Sequence, residues 1–394
     1  MASGLAWGYT DLANGKEAAR DLKRQLEQPS LQLVVVFCSP EYRDNEFAAS
    51  ITEAFEGVPV VGCTTSGELT PDGYRSNGIS ALSFAAPDFI AEIGWLPAVS
   101  DSDMAAFNSE ASRCLAALDA KIACHENGQE ASAGMTYEPL GFVLIDALWR
   151  REEVVISSLK GALGSMLLFG ASAGDNLCFE ETSVLVDGTF MSKGGVLILL
   201  RTCRPFKIVQ SQHFIVSDVK MVVTDADPEQ RIVKEINAEP AVEEYARVAG
   251  LDVDNLTPMD FATHPLVVRL GGTNYVRSVQ KANPDGSLSF YCAIEEGLVL
   301  TLAESGDLIG SLEQLFVDIE GEIGELEAVL GFDCVLRRLE LERKQQLQHV
   351  PPLFTKYHVT GFSTFGEQYA STHVNQTFTG LAIGKRGAKR RHQS

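Results

Sequence analysis

The chain has 394 residues, 45% hydrophobic and 22% charged, which is the composition of a packed globular protein and too long for one ordinary core. Its 32 basic and 53 acidic side chains leave a net charge of −21, which repels phosphate backbones and excludes nucleic acid as a general partner. The start lacks the positive flank and apolar stretch of a signal peptide, and apolar runs such as 33–37 and 196–200 are strand-sized, so neither export nor a membrane span is expected.

Residues 33–37 read as a buried strand, and 44–55 follow with the helical spacing of Phe47, Ala48, Ile51 and Phe55. Residues 58–62 form a second strand at the distance a parallel βαβ unit needs. A small polar turn comes next, Cys63-Thr64-Thr65-Ser66-Gly67, then a Pro71-Asp72-Gly73 turn and strands near 78–84 and 89–95. The same order returns about a hundred residues on. Phe142 to Ile145 match Val34 to Phe37 at an offset of 108, and Val155, Ile156, Leu159 and Leu163 match the four helix positions. Gly170 falls on Gly62 at that offset, and beyond the turn Val196 falls on Ile79 at 117. Such a match of strand, helix, strand and glycine is an internal repeat. Each polar turn follows a strand whose end opens toward a crevice, the usual ligand position in open α/β sheets. Tight turns demanded by the repeat account for the same small residues.

After His213 the pattern changes. Strands are expected near 221–224, 265–271, 274–282, 288–293, 297–302 and 331–336, with helices over 239–248, 305–323 and 337–348. Two more strands, 358–365 and 374–383, close the chain. The fold class is therefore α/β plus α+β: an internally duplicated βαβ-plus-hairpin unit over 1–218, then a mixed α+β domain over 219–384. The tail 385–394, with five basic residues between Lys385 and Arg391, is expected to be solvated and disordered.

Gly170-Ala-Ser-Ala-Gly174 satisfies the G-x-S-x-G pattern of a hydrolase elbow, with Asp187 and His213 in triad order after it. An elbow runs straight into a helix, whereas the residues after Gly174 read as strand and hairpin, and Thr64 stands opposite Ser172. A serine hydrolase is thus the weakest reading. Cys63 at its turn has no histidine among the first 124 residues to activate it. The eight cysteines include no CxxC pair, and most sit among aliphatic residues, as reduced thiols do in a cytoplasm.

The stretch Val60-Val-Gly-Cys-Thr-Thr-Ser-Gly-Glu-Leu69, with Gly73-Tyr74 and 79–84, resembles the N-terminal FIST sensory domain. Gly361-Phe-Ser-Thr-Phe-Gly-Glu367 and Asn375-Gln-Thr377 resemble the end of the FIST C-terminal domain, although Gln368 replaces an aliphatic residue. Phe332-Asp-Cys-Val-Leu-Arg-Arg-Leu-Glu340 and Gly366-Glu-Gln368 are similar to the nitric-oxide-sensing bacterial subgroup, NosP. The family resemblance implies a non-enzymatic small-ligand sensor in signal transduction. The subgroup resemblance implies non-covalent haem b, nitric oxide detection and control of a sensor histidine kinase within a two-component system. The alternative is a haem-free FIST sensor of an amino acid or related metabolite. His213, His264, His358 and His373 are the candidate axial ligands, one or two of them at most. For a generic ligand the candidates are Cys63, Thr64, Thr65 and Ser66 in the first turn, and Glu367, Gln368, Asn375 and Gln376 near the end.

Overall fold

A computed structural model of the protein describes residues 4–98, 105–128, 136–270, 272–370 and 372–387. The proposed disordered tail lies outside the described residues from position 388 on. The first unit runs β1 (Leu5–Thr10), α1 (Gly15–Leu26), β2 (Leu31–Cys38), α2 (Asn45–Ala54), β3 (Val60–Thr64), the hairpin β4 (Glu68–Thr70) and β5 (Gly73–Arg75), and β6 (Ile79–Ala85). The second repeats that order as β7 (Phe89–Pro97), α3 (Ala105–Gly128), β8 (Glu138–Ile145), α4 (Glu152–Leu163), β9 (Leu167–Ser172), the hairpin β10 (Val184–Val186) and β11 (Thr189–Met191), and β12 (Gly194–Thr202).

The structure adds a third copy. It begins with β13 (Phe206–Ser211) and is interrupted by an insertion of separate architecture. The insertion comprises β14 (Phe214–Asp227), β15 (Ile232–Ile236), β16 (Glu239–Pro240), α5 (Ala241–Ala249), α6 (Pro258–Thr263), β17 (Leu266–Leu270), β18 (Thr273–Arg277), β19 (Val279–Ala282), β20 (Leu288–Phe290) and β21 (Val299–Ser305). The copy resumes with α7 (Leu308–Ile323), β22 (Leu326–Cys334), α8 (Val335–Arg343), α9 (Val350–Tyr357) and β23 (Val359–Thr364). It ends with the hairpin β24 (Gly366–Tyr369) and β25 (Thr372–Val374), then β26 (Phe378–Gly384).

The three copies are interlocked. Their sheets run β1-β6-β2-β3-β10-β11, β7-β12-β8-β9-β24-β25 and β13-β26-β22-β23-β4-β5. In each, the β-α-β pair is parallel, and the outer hairpin comes from a different copy. The first sheet takes the second copy's hairpin, the second takes the third's, and the third takes the first's. The insertion forms its own sheet, ordered β18-β17-β21-β14-β15-β20-β19.

Alternation along the strands puts one face of each sheet inward and the other under helices. The inner faces share one core that includes Val35, Phe37, Phe142, Phe169, Phe332 and Phe362. Outside it, Val34 and Val36 pack under α1 and α2 with Ala18, Leu22, Phe47 and Ile51. Val143 and Ile145 do the same under α3 and α4 with Cys114, Val155 and Leu159.

Strand register corrects the repeat offset at one point. Val36 faces Gly62 and Val143 faces Gly170, so β2 and β8 correspond at 107 rather than 108. Val35, not Val34, is the partner of Phe142, and both point into the shared core. A slip of one residue turns a side chain to the opposite face, so the corrected register is the one that burial requires. The extra residue is absorbed near the start of α4, and the match at 108 holds from Val155 to Gly170. Both glycines are required by close approach: a Cβ on Gly62 would lie 1.9 Å from the Val36 carbonyl oxygen, and one on Gly170 2.4 Å from that of Val143.

Three boundaries also differ from expectation. The strand-like stretch 331–336 divides into the end of β22 and the start of α8, the stretch 274–282 is two strands, and 374–383 is split between β25 and β26.

Candidate functional site

The turns that follow β3, β9 and β23 meet in a ring. The Gly174 amide donates to the Thr64 carbonyl at 2.9 Å, the Ser66 amide to Ser363 at 3.0 Å, and the Phe365 amide to Ser172 at 3.2 Å. The first polar turn and the Gly361–Glu367 motif, far apart in sequence, are therefore neighbours. Two copies carry the same device there. The Thr65 hydroxyl donates to Glu68 at 2.7 Å, and Thr364 donates to Glu367 three residues on. The second copy has Ala173 and Asn176 at the matching positions.

Glu68 also accepts from Ser39 and the Gly78 amide, and Glu367 from the Thr377 amide and hydroxyl. Burial outweighs these bonds, pushing the Glu68 carboxyl up to about 7 and that of Glu367 up to about 8. Cys63 packs into the shared core, where burial raises its thiol well above the ordinary range. Thr64 exchanges bonds with Ser183, and the Ser66 hydroxyl is buried without a partner.

A second polar cluster lies where the hairpin β24–β25 meets β9 and the insertion. Arg231 holds Glu152 and Glu153, each at 2.6 Å. Ser172 donates to Glu152 at 3.3 Å, and the Gln368 amide donates both to Ser172 at 3.0 Å and to His373 Nδ1 at 3.1 Å. Because the Glu152 carboxylate takes the Ser172 proton, the Ser172 oxygen is the acceptor for Gln368. His373 Nδ1 is then an acceptor too, which leaves the ring proton on Nε2. Burial holds His373 below its ordinary value and keeps it neutral. Asn375 Oδ1 accepts from the Ser278 amide at 3.5 Å, and Arg277 donates to the His373 carbonyl at 3.5 Å. Gln376 donates to the Phe261 carbonyl at 3.3 Å.

Of the residues in this cluster, the sequence had offered Gln368, His373, Asn375 and Gln376 as candidates. It did not single out Glu152, Arg231, Arg277 and Ser278, which are single polar residues without a motif and approach the others only through the fold.

His213 sits in a different network, at the root of the insertion. Its Nε2 bonds Glu340 at 2.7 Å and its Nδ1 accepts from Arg337 at 2.9 Å, while Arg337 Nε donates to Asp333 at 2.5 Å. The NosP-like residues Asp333, Arg337 and Glu340 thus clamp the histidine at the start of the insertion. Ser305, the last residue of β21, bonds the same Glu340. Burial would raise the Glu340 carboxyl, but bonds from His213, Ser305 and Lys344 hold it down at about 2. His213 itself is lowered by burial, so it meets Glu340 as a neutral N–H donor.

The hydrolase reading is corrected by these contacts. Among the described residues no histidine is a hydrogen-bond partner of Ser172, those after Gly174 lead to β10 without a helix, and His213 is engaged by Glu340 and Arg337.

Of the four candidate haem ligands, His213 and His373 as placed do not fit a haem, whereas His264 and His358 engage only Nδ1. Both ring nitrogens of His213 are bonded. His264 turns its Nδ1 to the Asp260 carbonyl, and His358 stacks on Trp7 at 4.7 Å with its Nδ1 on the Glu327 carbonyl. His373 Nε2 is buried and unpartnered, yet a methyl group on Gly366 would lie only 2.8 Å from it, leaving no gap for a macrocycle.

Buried polar groups thus gather where the repeats of this α/β scaffold meet the inserted domain. The chain belongs to the FIST family: the FIST N domain matches residues 32–239 and the FIST C domain residues 241–370. These are sensory domains of signal transduction, which bind small-molecule ligands. The junction between the two matches falls at β16, inside the insertion. No curated protein matches the chain. Among the described residues no helix is long and apolar enough to cross a membrane, and no group of three or more His, Cys, Asp or Glu side chains could hold a metal ion.

Proposed function

We propose that the protein senses a small polar metabolite, an amino acid or a close relative, at the seam between the hairpin β24–β25 and the insertion. It passes the result to a signalling partner in the cytoplasm, of the sensor histidine kinase type. The observation that carries this reading is the set of buried polar atoms without partners at that seam: His373 Nε2, Asn375 Nδ2, Gln368 Oε1, Ser278 Oγ and Arg277 Nε. Buried polar atoms in a folded core are nearly always bonded, and five in one place are the lining expected of a binding site. A ligand that bonds both sides of the seam favours one pose of the insertion, and the partner reads the shift only if its affinity differs between poses.

The test is thermal stabilisation of the purified chain across amino acids and related metabolites, repeated with His373→Ala. Saturable stabilisation lost in the variant supports the reading, and stabilisation retained in it removes the seam as the site. The second reading is the haem-based nitric oxide sensor that the NosP resemblance implies. What favours it is His373, a neutral buried imidazole with a free Nε2; what it requires is movement of β24 away from that nitrogen. Reconstitution with haem decides between the two. An intense band at the blue edge of the visible, lost in His373→Ala, would replace the metabolite reading, and no uptake of haem ends the nitric oxide proposal.

A further inference from the structure

The atoms left over at the seam are not an even mixture. Four side chains can donate into it: His373 through Nε2–H, Asn375 through Nδ2, Arg277 through Nε and Ser278 through its hydroxyl. The obligatory acceptor among the same atoms is Gln368 Oε1. His373 Nε2 and Asn375 Nδ2 converge, since the same point above Gly366 lies 2.8 Å from one and 2.9 Å from the other. Arg277 flanks them through the His373 carbonyl, and Ser278 is the next residue along, bonded through its amide to Asn375.

The charges nearby decide between ligand types. Glu152 and Glu153 are committed: Arg231 binds both, Ser172 takes a further site on Glu152, and the Ala293 amide takes one on Glu153 at 2.8 Å. Among the described residues Arg277 has no carboxylate at ion-pair distance. It donates to the His373 carbonyl and to the Cys292 thiol. A half-buried guanidinium without a counter-ion, beside three neutral donors, selects a ligand rich in acceptors and negatively charged.

We propose that the seam is a carboxylate-binding site, in which Arg277, His373 and Asn375 grip the two oxygens of a small organic acid and Ser278 completes the shell. This rests on the sensor reading above and deepens it by naming the charge class of the ligand. The bonds now crossing the seam, Asn375 to the Ser278 amide and Arg277 to the His373 carbonyl, both stand at 3.5 Å. That is the outer limit of a hydrogen bond, so exchanging them for bonds to a carboxylate costs little. The ligand enters by displacing β18 and β19 from β25, and the insertion moves as a consequence of binding.

The experiment is calorimetric titration of the full chain with acetate and propionate, against acetamide and propionamide as uncharged partners of the same shape. Sulfate serves as an anion of different geometry. The acids are expected to bind saturably and the amides at least about tenfold more weakly, since a hydrogen bond to an ionised oxygen is roughly twice as strong as one to a neutral carbonyl. Arg277→Gln should weaken the acids by a similar factor without affecting the amides. Arg277→Lys should recover part of the loss, which separates lost charge from lost packing. Unchanged circular dichroism and urea midpoint in both variants establish that they fold. Amides binding as tightly as acids, sulfate binding as well as acetate, or an Arg277→Gln variant of unchanged affinity would each overturn the carboxylate assignment. If uncharged metabolites bind and His373→Ala abolishes it, only the ligand class is wrong and the sensor site stands. Acid binding that survives both Arg277→Gln and His373→Ala lies elsewhere and removes the seam from both proposals.

Discussion

Glu367→Gln offers a sharp test of the buried carboxyl at the ring of turns, because the shape is kept and the titration is removed. Glu367 is fully buried, and its folded-state value of about 8 stands well above the 4.5 of an exposed glutamate. Between those values the folded chain keeps its proton while the unfolded chain releases it, so folding is progressively disfavoured as pH rises. The contribution is full below pH 4.5, declines through the interval and levels off above about 8. Each pH unit is worth about 1.4 kcal/mol, so from pH 5 to pH 8 the wild type should lose about 3–4 kcal/mol relative to Glu367→Gln. Urea unfolding of both proteins at pH 5, 6.5 and 8 measures this as a difference of midpoints at equal slope, and Glu68 and the other titrating groups cancel in the comparison. A wild-type-minus-variant difference that stays constant within about 1 kcal/mol would show that Thr364 and Thr377 outweigh burial and that Glu367 is charged throughout.

Arg337→Ala should cost about 3–5 kcal/mol in urea unfolding, since it strands the buried Asp333 carboxylate. A cost under 1 kcal/mol would mean that Asp333 takes up a proton at once. Gly62→Ala should prevent recovery of soluble protein, whereas Gly321→Ala, on the open face of α7, should raise stability by about 0.5–1 kcal/mol; equal behaviour of the two would disprove the close strand approach at Gly62. Ser172→Ala should cost about 1–2 kcal/mol for its two bonds and leave any background ester turnover unchanged; turnover lost in this variant would revive the hydrolase.

The repeat was legible because buried positions recur with helical and strand periods, and the turn sequences carried the family resemblance. Its third copy was hidden by residues 214–305, which part β13 from α7 and destroy any constant offset. The helix α9 was not among the expected elements; it opens on Pro351 and Pro352, residues that break a helix interior but are tolerated in a first helical turn. At 331–336 periodicity could not separate strand from helix, because apolar Val335 and Leu336 follow Cys334 without a break in the pattern, while the backbone ends the strand there. The site divides in the same way. Gln368, His373 and Asn375 lie close in sequence and could be noticed together, whereas Arg277 meets them only because the insertion folds back over the second copy, and Glu152 only because the hairpin β24–β25 joins β9.

The exchanged hairpins also govern how the chain can be made. Residues 68–75 leave the ribosome early, but the strand they pair with, β23, is synthesised almost three hundred residues later. Until then Leu69, buried in the finished protein, has no sheet to join. The third hairpin, 366–374, supplies the outer strands of the second sheet in turn. A nascent chain therefore carries open sheet edges until nearly its last strand is complete, and every one of them is a surface that a chaperone or a neighbouring nascent chain can capture.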